Sequence, residues 1–310
     1  MPKEKRFSET LFSVMSYSGT ALTSHEMEAD LFAEAIMANA EIARQVSGIV
    51  FGPEIVITVK IKGVTKNGVQ ADIVYVLNQA ANTIHLIREN QLVQSVIEFN
   101  EIIGAFKPYA FGAGLAGYSI YSWIKNRKAE GIDHIEDHGD TVTIFYKNGT
   151  VEKIPTRLYR SLYCLKVTNA IKKIIAPLSK RGIDRFKFYQ QECKEDPATV
   201  IEKKDVPAFK AYIKSQLEYV KEYKIICSLD RPSYQRKASG WKLVREGQPD
   251  ITVTIKDKQF LNEVAEGIIK VDPHSLFDVV YQEIRKENKN GDLFSKYEVT
   301  FVKPIKHEDN

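Results

Sequence analysis

The stretch EIVITVKIKGVTKNGVQADIVYVL, residues 54–77, predicts a β-hairpin in the N-terminal half of the chain. Its first half alternates strictly between apolar and polar residues, which is the period-2 pattern of a half-buried strand. The apolar positions that share one side of that strand are Ile55, Ile57, Val59 and Ile61. Lys66-Asn67-Gly68 supplies the turn, because Asn-Gly tolerates the positive φ that a tight hairpin requires. Residues 69–77 then return as the second strand.

The segment before this hairpin predicts a strand and a long helix. Residues 11–17 alternate as a strand does, and Thr23 with Glu26 has the spacing of a capping box. Apolar residues then recur at helical spacing through about Gly48, namely Leu31, Ala35, Ala38, Ile42 and Val46. After the hairpin, residues 82–106 predict a further helix.

Length and composition indicate an ordinary globular protein. A chain of 310 residues predicts two or three domains, and 44% hydrophobic residues argue against global disorder. The net charge of +4 neither favours nor excludes nucleic acid. The three cysteines, Cys164, Cys193 and Cys227, form no CxxC pair, and the N-terminus has no secretory pattern. We therefore expect a reducing, cytoplasmic location.

An uncharged segment, YAFGAGLAGYSIYSWI at residues 109–124, stands out in a chain that is 27% charged. On a helix its glycines would allow another backbone to approach closely, as in helix pairs within membranes. The predicted interaction residues are Gly112, Gly114, Gly117, Tyr118, Tyr121 and Trp123. The segment is shorter than the ~20 residues of a membrane-spanning helix. It therefore predicts either a buried core helix or a helix that packs on a partner, a second subunit or a membrane surface.

A basic region follows. Between Lys153 and Lys187 there are ten basic residues and a single acidic one, Asp184. The apolar spacing predicts one helix over residues 156–180, broken near Pro177. Its basic side chains are Arg157, Arg160, Lys166, Lys172, Lys173, Lys180 and Arg181. Such a surface binds the phosphates of nucleic acid or of anionic lipid. The alternative is a solvated face opposite a core stripe.

The best candidate metal ligands precede a second predicted hairpin, over residues 141–154 around Asn148-Gly149. His134, Glu136 and His138 share one face if the segment is extended, and two imidazoles with a carboxylate suit zinc or iron. The alternative is a solvated acidic loop. There is no GxSxG motif and no evident cysteine–histidine pair, so we expect a non-catalytic protein without a cofactor.

The last ninety residues predict three strands, one helix and two strands. The strands cover about 223–228, 240–245, 251–255, 277–285 and 296–302, and Asp257 caps the helix. OB-folds have this order, and small SH3-like barrels give the same string. The barrel aromatics either stack on bases or fill the core. Residues 221–310 carry sixteen basic and fifteen acidic residues, so this part lacks the positive excess of a nucleic-acid groove.

The predicted fold class is therefore α+β with three domains. Residues 1–108 form an antiparallel N-terminal domain. Residues 109–220 form a central region with the glycine-rich helix, a hairpin and the basic helix. Residues 221–310 form a five-stranded OB-like or SH3-like barrel.

The order of these features resembles a family of uncharacterised bacterial proteins. The resemblance rests on HEMEADLFAEAIMANAEIARQVSG (residues 25–48), the strand at 55–61, GAGLAGYSIYSWIKNRK (112–128), IKKIIAPLSKRGIDRF (171–186) and the small β-barrel from Ile225. It implies a bacterial cytoplasmic setting, among phage-defence genes or on mobile elements. It implies no known activity.

These observations predict a non-catalytic interaction or effector protein. The expected partner is another protein or a second copy of the chain, with a peripheral position on an anionic membrane as a variant. The alternative is a nucleic-acid-binding protein that uses the basic helix and the barrel. A third hypothesis is a metal-dependent enzyme at His134, Glu136 and His138.

Overall fold

The computed structural model describes residues 8–22, 27–65, 69–79, 89–103, 119–126, 132–190, 199–218, 220–230, 238–245, 248–272 and 275–305. The chain divides into two compact units, Met1–Lys214 and Ser215–Asn310. Helices and antiparallel sheets are both present, so the α+β class is confirmed. The predicted boundary near residue 108 is corrected, because strands from beyond that point complete the first sheet.

The first unit contains, in chain order, β1 (Ser8–Ser18), α1 (Ala29–Phe51), β2 (Ile55–Thr65), β3 (Val69–Gln79), α2 (Glu89–Ile103), α3 (Ile120–Asn126), β4 (Ile132–Asp137), β5 (Thr141–Tyr146), β6 (Val151–Pro155), α4 (Thr156–Leu162), α5 (Leu165–Ile175), β7 (Arg185–Gln190), β8 (Thr199–Glu202) and α6 (Val206–Leu217). The last three residues of α6 belong to the second unit. That unit contains β9 (Val220–Asp230), β10 (Ser239–Arg245), β11 (Gln248–Ile255), α7 (Lys258–Ala265), β12 (Leu276–Glu287) and β13 (Leu293–Pro304).

The main sheet of the first unit has the order β2-β3-β1-β7-β8, with every pair antiparallel. The predicted hairpin is confirmed as β2 and β3, with Ile57 opposite Leu77 and Val59 opposite Tyr75. The late strands β7 and β8 pair with each other, and β7 also pairs with β1. The attachment of β7 to β1 was not predicted, because a contact more than 160 residues away in sequence leaves no local pattern.

Two tyrosine hydroxyls attach helices to the sheet. The Tyr17 hydroxyl on β1 donates to the carbonyl of Ile174 on α5 at 2.6 Å. The Tyr75 hydroxyl on β3 donates to the Asn39 side chain on α1 at 2.5 Å. Both tyrosines are fully buried. Helices α1 and α5 therefore cover the same face of the sheet, and the core lies between them and the strands.

Helix α1 continues three residues past Gly48, where the sequence predicts its end. Val50 and Phe51 are buried, and the Phe51 ring lies 5.8 Å from the ring of Phe99 on α2. Burial of these side chains outweighs the modest helix penalty of one glycine. The helix ends at Gly52, which has φ of 66° and precedes Pro53. The predicted capping box at Thr23 and Glu26 lies outside the described residues.

The single basic helix predicted over residues 156–180 is wrong: two helices are present, α4 and α5. The helix is interrupted at Tyr163–Cys164, and Cys164 has the extended backbone of an N-cap position. The Leu162 carbonyl at the end of α4 accepts a hydrogen bond from the Tyr212 hydroxyl of α6. This long-range bond satisfies a backbone group that the break leaves without a helical partner. Pro177 lies in a short 3-10 turn, Ala176–Ser179.

A second, three-stranded antiparallel sheet has the order β4-β5-β6. Strands β5 and β6 confirm the hairpin predicted around Asn148-Gly149, with Gly149 at φ of 80° in the turn. Strand β4 pairs with β5 in register from His134–Phe145 onward. The expected loop is therefore a strand at His134 and Glu136, while His138 follows its end, and all three side chains are solvated as that alternative predicted.

In the second unit each strand pairs with two others, so that the pairings form a closed ring β9-β10-β11-β13-β12. All neighbours are antiparallel except β11 and β13, which run parallel. The core inside the ring is apolar and includes Trp241, Phe260 and Phe277. Asp257 caps α7 as predicted: one carboxylate oxygen accepts from the Phe260 amide at 3.1 Å, and the other accepts from the Val302 amide at 3.0 Å.

Candidate anion-binding surface

The described end of the uncharged segment is part of the core of the first unit. On α3, Ile120, Tyr121, Trp123 and Ile124 are each at most 2% exposed. The Tyr121 ring lies 6.1 Å from the Phe186 ring, and Trp123 meets Tyr212 edge to face at 6.4 Å. Of the two alternatives for this segment, its described end is therefore the buried core helix. The assignment of Tyr121 and Trp123 as partner contacts is corrected, because both rings are covered by this chain itself.

The other predicted interaction residues, Gly112, Gly114, Gly117 and Tyr118, lie outside the described residues. Their role stays a prediction. Among the helices that the structure describes, none has the length and apolar character needed to cross a membrane.

Of the candidate metal ligands, His134 and Glu136 share one face of β4, as strand alternation predicts, and His138 lies just beyond the end of that strand. The Glu136 carboxylate lies 4.0 Å from Nε2 of His134 and 3.6 Å from Nε2 of His138. Each imidazole also has another neighbour: His134 contacts Asp133 at 2.9 Å and stacks on Phe145, and His138 contacts the Thr143 hydroxyl at 3.1 Å. Within the described ranges no group of three or more His, Cys, Asp and Glu side chains is placed to hold a metal ion. The arrangement therefore gives the metal hypothesis no support.

The basic residues of the broken helix fall into two sets. Arg157 on α4 forms an ion pair with Glu98 on α2 and so belongs to the packing of the first unit. The others are set apart from the core, and we call five of them the basic ridge: Lys166, Lys172, Lys173, Lys180 and Arg181. Of these, Lys166, Lys173, Lys180 and Arg181 are exposed, and Lys172 is half-buried. Arg160 on α4 is also exposed.

The ridge follows from the pattern of α5. Val167, Ile171 and Ile174 point to the core with less than 1% exposure, which leaves the Lys166 and Lys173 positions on the solvent side. No acidic residue occurs between residues 153 and 183. Among the described residues, Lys166, Lys173 and Arg181 have no carboxylate within 4.0 Å, and Lys180 reaches Glu28 only at that limit. Their positive charges are therefore available to an anion.

The far end of the ridge is held in place by a close backbone contact. Gly182 has φ of 78°, and its carbonyl accepts a hydrogen bond from the Ala21 amide at 2.8 Å. The Asp184 amide donates to the Ser18 carbonyl at 2.9 Å, and the Lys203 ammonium donates to the Lys180 carbonyl at 2.8 Å. The turn that presents Lys180 and Arg181 is thus held by three hydrogen bonds to two neighbouring segments, Ser18–Ala21 and Lys203.

A compensated group of charges lies beside this turn. Glu202 on β8 forms ion pairs with Arg185 at 3.2 Å and with Lys204. The hydrogen bond from Lys204 lowers the pKa of Glu202, and the same bond raises the pKa of Lys204. The single carboxylate of Glu202 thus offsets part of the positive charge of Arg185 and Lys204.

The aromatic residues of the second unit mostly fill its core. Trp241, Phe260, Phe277 and Tyr281 are at most 3% exposed, whereas Phe301 is 46% exposed. The four buried rings therefore cannot stack on bases and fill the core instead. The outer face of β10 and β11 carries Lys242 opposite Thr252 and is polar.

One end of the strand ring contains a polar layer that the sequence reasoning missed. The Glu283 carboxylate accepts hydrogen bonds from the Ser295 hydroxyl at 2.6 Å and from the Tyr223 hydroxyl at 3.1 Å. Arg285, only 6% exposed, donates to the Gln216 side chain. The alternation of Tyr281, Glu283 and Arg285 was the available signal, since strand residues two apart share a face. The Arg285 Nε lies 3.7 Å from the Glu283 carboxylate, so an ion pair joins the two groups of the layer.

Cys227 is also inside the second unit and is 3% exposed. Burial raises the pKa of its thiol to about 11. A thiol of this kind is almost wholly protonated at neutral pH and is a poor nucleophile.

Comparisons of the chain with protein-family models, with curated proteins and with solved structures found no match. The resemblance to bacterial phage-defence or mobile-element proteins therefore stays a prediction.

Proposed function

We propose that this protein is a non-catalytic interaction protein that binds single-stranded nucleic acid through the basic ridge. The observation that carries the proposal is the run of four exposed cations along α5 and the turn after it, Lys166, Lys173, Lys180 and Arg181, with so little acidic compensation. Lysines that neutralise backbone phosphates release condensed counterions, and this release drives binding without regard to sequence.

The second unit supports nucleic acid over other polyanions. We propose that Ser215–Asn310 is an OB-fold. Its first strand pairs with its second and fourth strands, its third strand runs parallel to its fifth, and its helix lies between the third and fourth. These are features of the OB-fold, a barrel that often binds oligonucleotides. The same features favour the OB-fold over the SH3-like alternative.

The alternative to anion binding is that the ridge is a solvated helix face without a ligand. Lys172 and Lys173 lie in the last turn of α5, where positive charge favours the helix dipole, and this accounts for two of the five charges. The helix dipole gives no reason for Lys166 in the first turn of α5, nor for Lys180 and Arg181 beyond its end. Lys166, Lys180 and Arg181 are better explained by an anionic ligand.

The predicted role of the glycine-rich segment remains a second component of the proposal. Since Tyr121 and Trp123 are buried, any contact that the uncharged segment makes with a protein partner or a second copy falls to residues 109–118. A peripheral position on an anionic membrane, in a bacterial cytoplasm, is the competing outcome for the same basic ridge.

The proposal is tested by fluorescence anisotropy with a labelled single-stranded DNA of about 20 nucleotides, a length that spans the site of an OB-fold. The double variant Lys166→Glu/Lys173→Glu is expected to weaken binding by about tenfold or more, because each reversal removes a phosphate contact and adds repulsion. The matched control is Lys147→Glu/Lys153→Glu, which makes the same charge change at exposed positions of the β5–β6 hairpin. The control is expected to bind within about twofold of the wild type.

A parallel assay uses vesicles of phosphatidylglycerol and phosphatidylcholine. Binding to these vesicles without binding to DNA would overturn the nucleic-acid proposal in favour of a membrane surface. Equal loss in the ridge variant and the charge-matched control would show that net charge, and not the ridge, determines binding.

A further inference from the structure

Strand β2 lies at the edge of the main sheet, and no described strand pairs with its outer side. It is 11 residues long, whereas the other edge strands, β4, β6 and β8, have six, five and four residues. Short length is one means by which proteins prevent edge pairing, and β2 does not use it. Two large apolar side chains on β2, Val56 and Ile61, are each 54% exposed.

The regular part of this edge has defined limits. On one side the strand is preceded by the turn Gly52–Glu54, which contains Pro53. On the other side a β-bulge interrupts the pairing between Ile61 and Gly63. The uninterrupted segment is therefore Ile55–Ile61, and its middle residue is Thr58. An antiparallel pairing of two copies about a twofold axis at Thr58 uses the whole of this segment.

That register is self-complementary. On the side that faces the helices, Ile55 lies opposite Ile61 and Ile57 lies opposite Val59, so the apolar side chains form one row. On the other side Val56 lies opposite Lys60, whose long aliphatic stem packs on apolar neighbours. Just beyond the two ends, Glu54 precedes the strand and Lys62 lies in the bulge. In this register each Glu54 comes near Lys62 of the other copy, which brings opposite charges together across the strands.

We propose that two copies of this chain associate through β2 in this register and so form one continuous ten-stranded sheet. The backbone groups of two edge strands satisfy one another, the apolar rows cover Ile61, and two Glu54–Lys62 pairs set the register. A C2 interface of this kind is isologous, since each copy contributes the same surface. The inference stands independently of the nucleic-acid proposal.

The first test is a charge exchange in the full chain, followed by sedimentation equilibrium. Lys62→Glu alone places like charges opposite each other at both ends and is expected to raise the dimer dissociation constant by about tenfold. Glu54→Lys alone has the same effect. The double variant Glu54→Lys/Lys62→Glu restores opposite charges and is expected to return to within about threefold of the wild type. Glu54 and Lys62 are not buried, so each variant should fold.

The second test uses disulfide cross-linking to locate the twofold axis. Thr58 is exposed and meets its own copy across the axis at a Cα separation of about 4.5–5.5 Å, within the range of a disulfide. Thr58→Cys is therefore expected to form an intermolecular disulfide on mild oxidation. Val56→Cys is the matched control: two such residues would lie roughly 14 Å apart along the strands and should not cross-link. The wild-type chain reports any cross-linking by the native cysteines.

A chain that is monomeric over the micromolar to millimolar range overturns the proposal. So does a dimer whose affinity the single charge reversals leave unchanged, since its interface then lies elsewhere. Equal cross-linking at Thr58→Cys and Val56→Cys would contradict the register.

Discussion

Gly19 lies directly against the carbonyl group of Gly182. A β carbon on Gly19 would stand 2.2 Å from the Gly182 oxygen and 2.8 Å from the Asp184 nitrogen. The contact is reciprocal, because a β carbon on Gly182 would stand 2.6 Å from that of Ala21. Two glycines from distant parts of the sequence thus permit the backbone approach that positions the end of the basic ridge.

This contact predicts that Gly19→Ala destabilises the protein by about 1–3 kcal/mol, since neighbouring backbone must move to accept the methyl group. Gly182→Ala adds the strain of a positive φ to its own clash. The measurement is chemical denaturation of each variant. Gly149→Ala is the control for φ alone, because its site has a positive φ and open space around it.

Replacement of Gly48 by alanine is expected to change the stability in the opposite direction, toward a more stable protein. It lies inside α1, is exposed, and has nothing within 4 Å of an added β carbon. Gly48→Ala is therefore expected to raise the free energy of unfolding by about 0.5–1 kcal/mol, because alanine has the higher helix propensity. A decrease in stability would mean that the side of α1 around Gly48 is covered.

Two buried tyrosines predict different responses to loss of their hydroxyl groups. The Tyr75 hydroxyl bonds to Asn39, which is 3% exposed, so Tyr75→Phe leaves a buried amide oxygen unpaired and is expected to destabilise by about 1–3 kcal/mol. The Tyr121 hydroxyl is buried without a hydrogen-bond partner among the described residues, and burial raises the pKa of Tyr121. Tyr121→Phe is therefore expected to be neutral or stabilising. Thermal melts of the two variants, side by side, check the difference.

Glu298 on β13 predicts a pH dependence. The hydrogen bond from Lys296, at 2.7 Å, is the main cause that lowers the pKa of Glu298, and Lys256 lies 3.6 Å away. A lowered folded-state pKa adds stability above the unfolded-state pKa, and this stability is lost as the pH falls through the folded-state value. The melting temperature of Glu298→Gln should therefore lie below that of the wild type at pH 7, and the difference should shrink as the pH falls through the folded-state pKa of Glu298. Glu266→Gln, at an exposed position of the same unit, should show no such trend.

Cys227 predicts slow alkylation of the native protein. With a pKa of about 11 the thiol is rarely ionised at pH 8, and its site is closed. Peptide mass spectrometry after iodoacetamide treatment should show Cys164, which is partly exposed, modified before Cys227. In urea the two should react at similar rates. Rapid native labelling of Cys227 would indicate that the second unit opens readily.

Local patterns in the sequence determined the elements whose causes are local. Both Asn-Gly hairpins formed where predicted, because the turn residues and the strand alternation lie within a few positions of one another. The Asp257 cap and the order of three strands, one helix and two strands followed for the same reason. The excess of basic residues around α5 could also be predicted, since it is a property of the local composition.

Tertiary structure alone decided the features that depend on distant contacts. Strand β7 joined β1, and α3 was buried against Phe186 and Tyr212, so the aromatic residues predicted to meet a partner became core. The basic helix broke where Tyr212 satisfies a carbonyl of α4, and Gly19 met Gly182. Each of these contacts joins residues that are far apart in the chain. It stabilises the protein only after the whole fold has brought those residues together, so no local sequence pattern predicts it.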